Sequence, residues 1–228
     1  GQIRKLEAAG ITRLGELAET GARRVPGLAP HILSRLKLQA SLQILSEGKD
    51  VPEYRVAPLD PDAPRRGLAG LPPASPMDVF FDLEGYPHAE GGLEYLWGTV
   101  TEEEGRPVFR DWWAHDPVQE KAAFEGFMDW VMERFRADPS MHVYHYAPYE
   151  TAVVRRLCGK YATREDEVDE LLRGQVFVDL YPVVRQGLVV GTRGYSLKDV
   201  EHLYRGRRGG EVVNAGASVV AYHDWIAS

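Results

Sequence analysis

The chain has 228 residues, 44% hydrophobic and 27% charged, with a net charge of −7 at pH 7. This composition supports a buried core and excludes a disordered chain, and the acidic balance excludes a broadly basic, histone-like coat while leaving room for an enzyme whose site is itself acidic. With no run of roughly 18 apolar residues, no leader pattern and a single cysteine, Cys158, the expectation is a cytoplasmic protein with no membrane span and no disulfide.

Residues 3–19 set Ile3, Leu6, Ile11, Leu14 and Leu17 at helical intervals interrupted by Gly10, which predicts two short helices and a turn. VPGLAP, residues 25–30, then turns into a longer helix with Ile32, Leu33, Leu36, Ile44 and Leu45 toward a core. Residues 1–50 hold eight Lys/Arg against five Asp/Glu, +3, leaving −10 for the remainder. The front piece, residues 1–47, is therefore the expected phosphate-facing part. Between residues 48 and 77 stand seven of the fifteen prolines, at 52, 58, 61, 64, 72, 73 and 76, which predicts an extended linker.

From Asp78 the pattern becomes that of strands. VFFDLEG is followed by LEYLWGTVTEEEGRPVFRDWWA, in which EEEGR marks a hairpin turn. PVQEKAAFEGFMDWVMERFRADP is the clearest long helix, with proline near its start and Phe124, Phe127, Met128, Val131, Met132 and Phe135 on one face. A short strand MHVYHYA, a helix PYETAVVRRLCGKYA, a charged stretch, a strand QVFVDLY and a helix SLKDVEHLY complete the order βββαβαβα. That order suits an α/β mixed sheet covered by helices.

Within VFFDLEG the two acids are two residues apart, so strand alternation puts Asp82 and Glu84 on one face and Phe81 and Leu83 on the other. Two readings stand: solvated acids on an exposed strand face, or paired hard-oxygen ligands for Mg²⁺ or Mn²⁺. The position of the pair at the end of an intensely apolar strand, followed by Gly85, Tyr86 and Pro87, favours the second.

FDLEGYP, YHYAPYE, FVDLYPVV and YSLKDVEHLY resemble motifs of the DEDD-type exonucleases, and within them the ribonuclease H-like domain of YprB-like and RecB-like nucleases. The likeness spans residues 78–228. It implies a ribonuclease H-like fold and hydrolysis of phosphodiester bonds in nucleic acid, DNA more than RNA, with 3′–5′ polarity and two Mg²⁺ or Mn²⁺ ions. It further implies Asp82, Glu84 and Glu150 as metal ligands, with Asp179 an additional catalytic acid. Glu150 stands where the family more often has Asp, and its other reading is an acid in a helix's first turn, worth about 0.3–1 kcal/mol. For Asp179 the alternative is a capping or turn acid. Tyr86, Tyr146, Tyr149 and Lys198 are the corresponding candidates for nucleic-acid contact, Tyr146 replacing the Asn of many relatives.

Relatives close the site with a late Asp preceded by Tyr or His. Tyr195 and Asp199 have the Tyr-x-x-x-Asp spacing but lie in the segment before that motif, and Asp224 is a weaker substitute. The expectation is a piece of a longer protein, joined to further nuclease or helicase domains and weakly active alone; the competing class is a non-catalytic docking module for nucleic acid or protein. In front, VPGLAPHILSRLKLQ resembles a helix-hairpin-helix motif, with Gly27 as the turn glycine, Ala29 in place of the second, and Arg23, Arg24, Arg35 and Lys37 nearby; a plain helical packing unit is the alternative. The seven dispersed histidines show no zinc-ligand spacing, and His142 and His145 fall on opposite strand faces. Core packing accounts for Trp112 and Trp113 more simply than base stacking does.

Overall fold

The computed structural model describes residues 1–22, 24–205 and 215–227. In chain order the elements are α1 (Gln2–Ala8), α2 (Leu14–Glu19), α3 (Pro30–Leu45), β1 (Tyr54–Val56), β2 (Val79–Tyr86), β3 (Leu93–Glu103), β4 (Arg106–Trp113), α4 (Pro117–Ala137), β5 (Val143–His145), α5 (Tyr149–Tyr161), α6 (Glu165–Arg173), β6 (Phe177–Asp179), α7 (Leu180–Gly187), β7 (Leu188–Val190), α8 (Leu197–Val200) and α9 (Ala215–Ala227). They fall into two compact units, Gly1–Leu71 with Tyr181–Arg208, and Pro72–Leu180 with Gly209–Ser228. No helix among the described residues is long and apolar enough to cross a membrane.

The second unit is built on a five-stranded sheet of order β4-β3-β2-β5-β6. β4, β3 and β2 are antiparallel, whereas β5 and β6 run parallel to β2, which makes the sheet mixed. The hairpin between β3 and β4 turns through Glu104 (φ 51°) and Gly105 (φ 75°), two consecutive left-handed residues of the kind a tight two-residue hairpin turn needs. In β2, Val79, Phe81 and Leu83 are buried and join Trp97, Phe124, Phe127, Val131, Val143 and Leu157 in one core. α4 starts where Asp116 accepts hydrogen bonds from the N–H groups of Val118 and Gln119, both 2.8 Å, with Pro117 in the first turn. The charged stretch is a helix, α6: Glu165, Asp166 and Glu167 occupy its first turn and Val168 and Leu171 face inward.

The first unit gathers α1, α2 and α3 around Leu6, Ile11, Leu17, Val25, Leu33 and Ala40. The proline-rich segment, expected as an extended linker, holds β1, which pairs antiparallel with β7 through Tyr54–Val190, Arg55–Val189 and Val56–Leu188. Residues 181–205, expected to belong with the rest of 78–228, pack in this unit. Val189 and Val190 are buried, and the amides of Gln39 and Gln43 on α3 hydrogen-bond to the Thr192 carbonyl at 3.1 and 2.6 Å. Contacts between segments about 150 residues apart leave no trace in local periodicity.

Candidate active site

All four predicted catalytic acids lie in the second unit. On β2, Asp82 is exposed and Glu84 half-buried, on the face opposite Phe81 and Leu83, as alternation requires. Phe80 shares their face and stacks on Tyr144, its partner in β5, with ring centroids 5.4 Å apart. A bulge follows Glu84, where the pairing register with β3 shifts. There an added Cβ at Gly85 would sit 2.6 Å from both Glu94 Oε2 and Tyr149 Oη, so one of those side-chain ends would have to shift. The bulge ends the regular ladder at the second acid and lets the Tyr149 hydroxyl donate to Glu94 at 2.8 Å.

Glu94 and Glu120 are buried acids that strand and helix patterns do not reveal. Glu94 is held by Tyr149 and by Arg156, and its backbone N–H donates to Glu120 at 2.7 Å. Burial raises the Glu94 carboxyl above its ordinary value despite those donors. Burial pushes Glu120 the same way, but Lys160 at 2.7 Å, Tyr161 at 2.6 Å and the Glu94 N–H outweigh it and hold Glu120 low. Burial and the Glu94 bond push the Tyr149 hydroxyl well up. The available signal was an acid inside the apolar run LEYLW and cations at positions 156 and 160, one turn apart on α5.

Glu150 is in the first turn of α5 but does not point to solvent. It is 4% exposed, its Oε2 has no hydrogen bond, and it lies 3.4 Å from Nδ1 of the equally buried His145. The turn between β5 and α5 creates this arrangement: Ala147 takes φ 74°, its carbonyl accepts from His145 Nδ1 at 2.7 Å, and its N–H donates to Asp179 Oδ1 at 2.8 Å. Through that bond Asp179 supports a left-handed alanine that would otherwise be strained, the contact expected of a turn acid.

The oxygen donors suit a hard divalent ion, and a buried carboxylate oxygen without a hydrogen bond is one that a cation would satisfy. As a set, however, the predicted ligands do not fit. Among the described residues no three His, Cys, Asp or Glu side chains come together closely enough to hold a metal ion. Glu150 is held beside the His145 turn, whereas Asp82 and Glu84 share the non-core face of β2.

Of the predicted nucleic-acid contacts, Tyr149 is about half exposed and Tyr146 half-buried. Tyr86 is 6% exposed, its hydroxyl 2.5 Å from His223 Nδ1 and its ring edge-on to Tyr222; packing under α9 takes it off the surface. Arg24, Gly27 and Lys198 belong to the first unit, exposed, and the Gly27 carbonyl accepts from Lys5 Nζ at 2.6 Å. Arg23 lies outside the described residues. Asp199 forms a capping box with Ser196 at the start of α8, while the Tyr195 hydroxyl donates to Gln39 Oε1 at 2.9 Å. Asp224 is exposed on α9.

Glu84, Leu96 and Trp113 are successive register partners across β2, β3 and β4, so their side chains form a row on one face. Beside Leu96 and Trp113 opens an apolar pocket of about 440 Å³, walled also by Tyr95, His115, Tyr222 and Trp225. Tyr95 stacks on Tyr222 at 3.9 Å, and Trp113 and Trp225 are at least half exposed. Burial, with the nearby Glu84 carboxylate adding to it, pushes the Tyr95 hydroxyl up.

An acid-bearing central strand in a mixed sheet, with helices over its apolar face, defines an α/β domain of the ribonuclease H kind. A model of the RNase H superfamily, RNase_H_2, matches residues 79–228, and the chain belongs to that superfamily. No curated protein and no solved structure matches it.

Proposed function

We propose that the chain hydrolyses phosphodiester bonds of nucleic acid at the Asp82–Glu84 face, as a 3′–5′ exonuclease acting on DNA. The observation that carries this reading is the pair itself: two acids on the non-core side of the central strand of a superfamily domain, one exposed and one half-buried. A divalent ion on that pair would supply charge neutralisation and an activated water. The aromatic pocket in line with Glu84 supports a strand end as substrate, since exposed rings accept an unpaired base by stacking, about 1–3 kcal/mol per base.

A second reading, a non-catalytic docking module, draws on the lack of a three-acid cluster among the described residues and on the burial of Glu150 against His145. One experiment separates the two. Under the nuclease reading, millimolar Mn²⁺ raises the melting temperature by about 3 °C or more, Asp82→Asn removes the rise, and a labelled single-stranded oligonucleotide shortens from its 3′ end only in wild type. Absence of both the thermal shift and the shortening would leave docking as the function.

A further inference from the structure

We propose that a pocket in the first unit binds the phosphates of a nucleic-acid strand through Arg66, Arg185 and Arg193. The inference rests on the nucleic-acid reading above but not on hydrolysis. Charge is divided unevenly between the units. The segments 1–71 and 181–208 carry 17 Lys/Arg against 10 Asp/Glu, +7, whereas 72–180 and 209–228 carry 10 against 24, −14. An acidic protein thus has one unit that attracts polyanions.

Within that unit four guanidinium side chains, those of Arg35, Arg66, Arg185 and Arg193, line one pocket of about 480 Å³, and among the described residues no Asp or Glu lines it. Arg35 has a structural role: it donates to the carbonyls of Arg185 and Leu188, at 2.5 and 2.8 Å, at the carboxyl end of α7, where a cation is favoured. The other three are exposed. Arg66 faces Asp60 at 3.7 Å in a pair with both side chains well exposed, which screens it only weakly. Arg185 lies over the Tyr181 ring at 5.9 Å. Convergent guanidiniums repel one another, and their planar donor forks match phosphate oxygens, so an anion relieves the repulsion and fills the geometry.

The wall of the pocket is preorganised. Gln39 and Gln43 donate to the Thr192 carbonyl, and the Tyr195 hydroxyl donates to Gln39, which ties the loop carrying Arg193 to α3. Because these amides are engaged with the chain, the pocket presents charge more than base-reading groups and suits backbone contact irrespective of sequence. The predicted hairpin turn around Gly27 and Arg24 contributes none of the lining residues.

The test uses the full chain in EDTA, so that binding is read whether or not the protein cleaves. The probe is a fluorescein-labelled 20-nucleotide single strand, titrated between 50 and 200 mM salt. Arg185→Gln/Arg193→Gln is expected to weaken binding about tenfold or more and to flatten the log–log salt slope by roughly 1.4, two single-strand phosphate contacts. Arg4→Gln/Arg13→Gln, the same change of charge at two exposed positions elsewhere in the unit, is expected to stay within about twofold of wild type. Equal losses in the two double variants would overturn the pocket in favour of the general field of the unit. Inorganic tripolyphosphate is expected to compete with the strand in wild type. If tripolyphosphate binding depends on Arg185 and Arg193 but strand binding does not, the pocket takes a small anion and the proposal fails. Circular dichroism melting of each variant verifies folding.

Discussion

At Gly85 the reason for a residue choice is steric. Any Cβ there meets Glu94 Oε2 and Tyr149 Oη at 2.6 Å, and both belong to a half-buried hydrogen-bonded pair next to the acid-bearing face. Gly85→Ala must therefore separate Tyr149 from Glu94 or straighten the bulge. The cost is about 1–3 kcal/mol for overpacking, with up to a further 1.5–3 if the charged hydrogen bond is lost. In urea unfolding this should appear as a lower midpoint at an unchanged slope. A midpoint equal to wild type would mean that the bulge is soft and does not fix the position of Glu84. The shared non-core face of Asp82 and Glu84 was legible in sequence because alternation in VFFDLEG is a strand's simplest signature. The His145–Glu150 contact was not, because it depends on a left-handed Ala147 that Asp179, 32 residues later, holds in place.

At the scale of elements, β2, β3, β4, α4 and α5 were readable because each buries a face with a clean period. α6 was hidden by its charge: only Val168 and Leu171 are buried in nine residues, too few for an apolar stripe to outweigh six charged neighbours. The strand expected over QVFVDLY stops at Asp179, and α7 begins at once, with Pro182 in its first turn where no intrahelical donor is lost. The packing of α4 on α5 depends on Glu120, whose carboxyl is held below its ordinary 4.5 because Lys160, Tyr161 and a backbone N–H outweigh burial. An acid with a depressed folded value stabilises above its unfolded value and loses that contribution as pH falls through the folded one. Glu120→Gln should thus flatten the loss of stability below pH 4.5. At pH 7 it should be less stable by about 3 kcal/mol, since it leaves Lys160 without its buried partner. Glu94, raised by burial, has the opposite linkage: its contribution falls as pH rises from 4.5 toward the raised value, so Glu94→Gln should alter the slope there in the opposite sense. Calorimetric melting from pH 3 to 7 measures both, and parallel profiles for the two variants and wild type would contradict the assignment.

For the molecule as a whole, the first unit is discontinuous, and this changes what can be removed. Residues 1–47, which by sequence alone look like a detachable helical domain, supply α3, and α3 packs on β7 while its Arg35, Gln39 and Gln43 satisfy carbonyls at Arg185, Leu188 and Thr192. Deleting 1–47 would strip the carbonyls of Arg185 and Thr192 of these side-chain donors, leave Leu188 only the Tyr195 hydroxyl, and expose Val189 and Val190, both now buried. A buried polar group left unpaired costs about 1–3 kcal/mol, and two valines returned to water cost about 1.5–3 kcal/mol each, enough to unfold a small remnant. The chain 48–228 is therefore expected to become protease-sensitive across 181–205 and to lose amide exchange protection at Val189 and Val190, even where β2 and β3 stay protected. Wild-type protection at those two amides in the truncated chain would show that the β1–β7 pair stands without α3, and that the front helices are an independent domain after all.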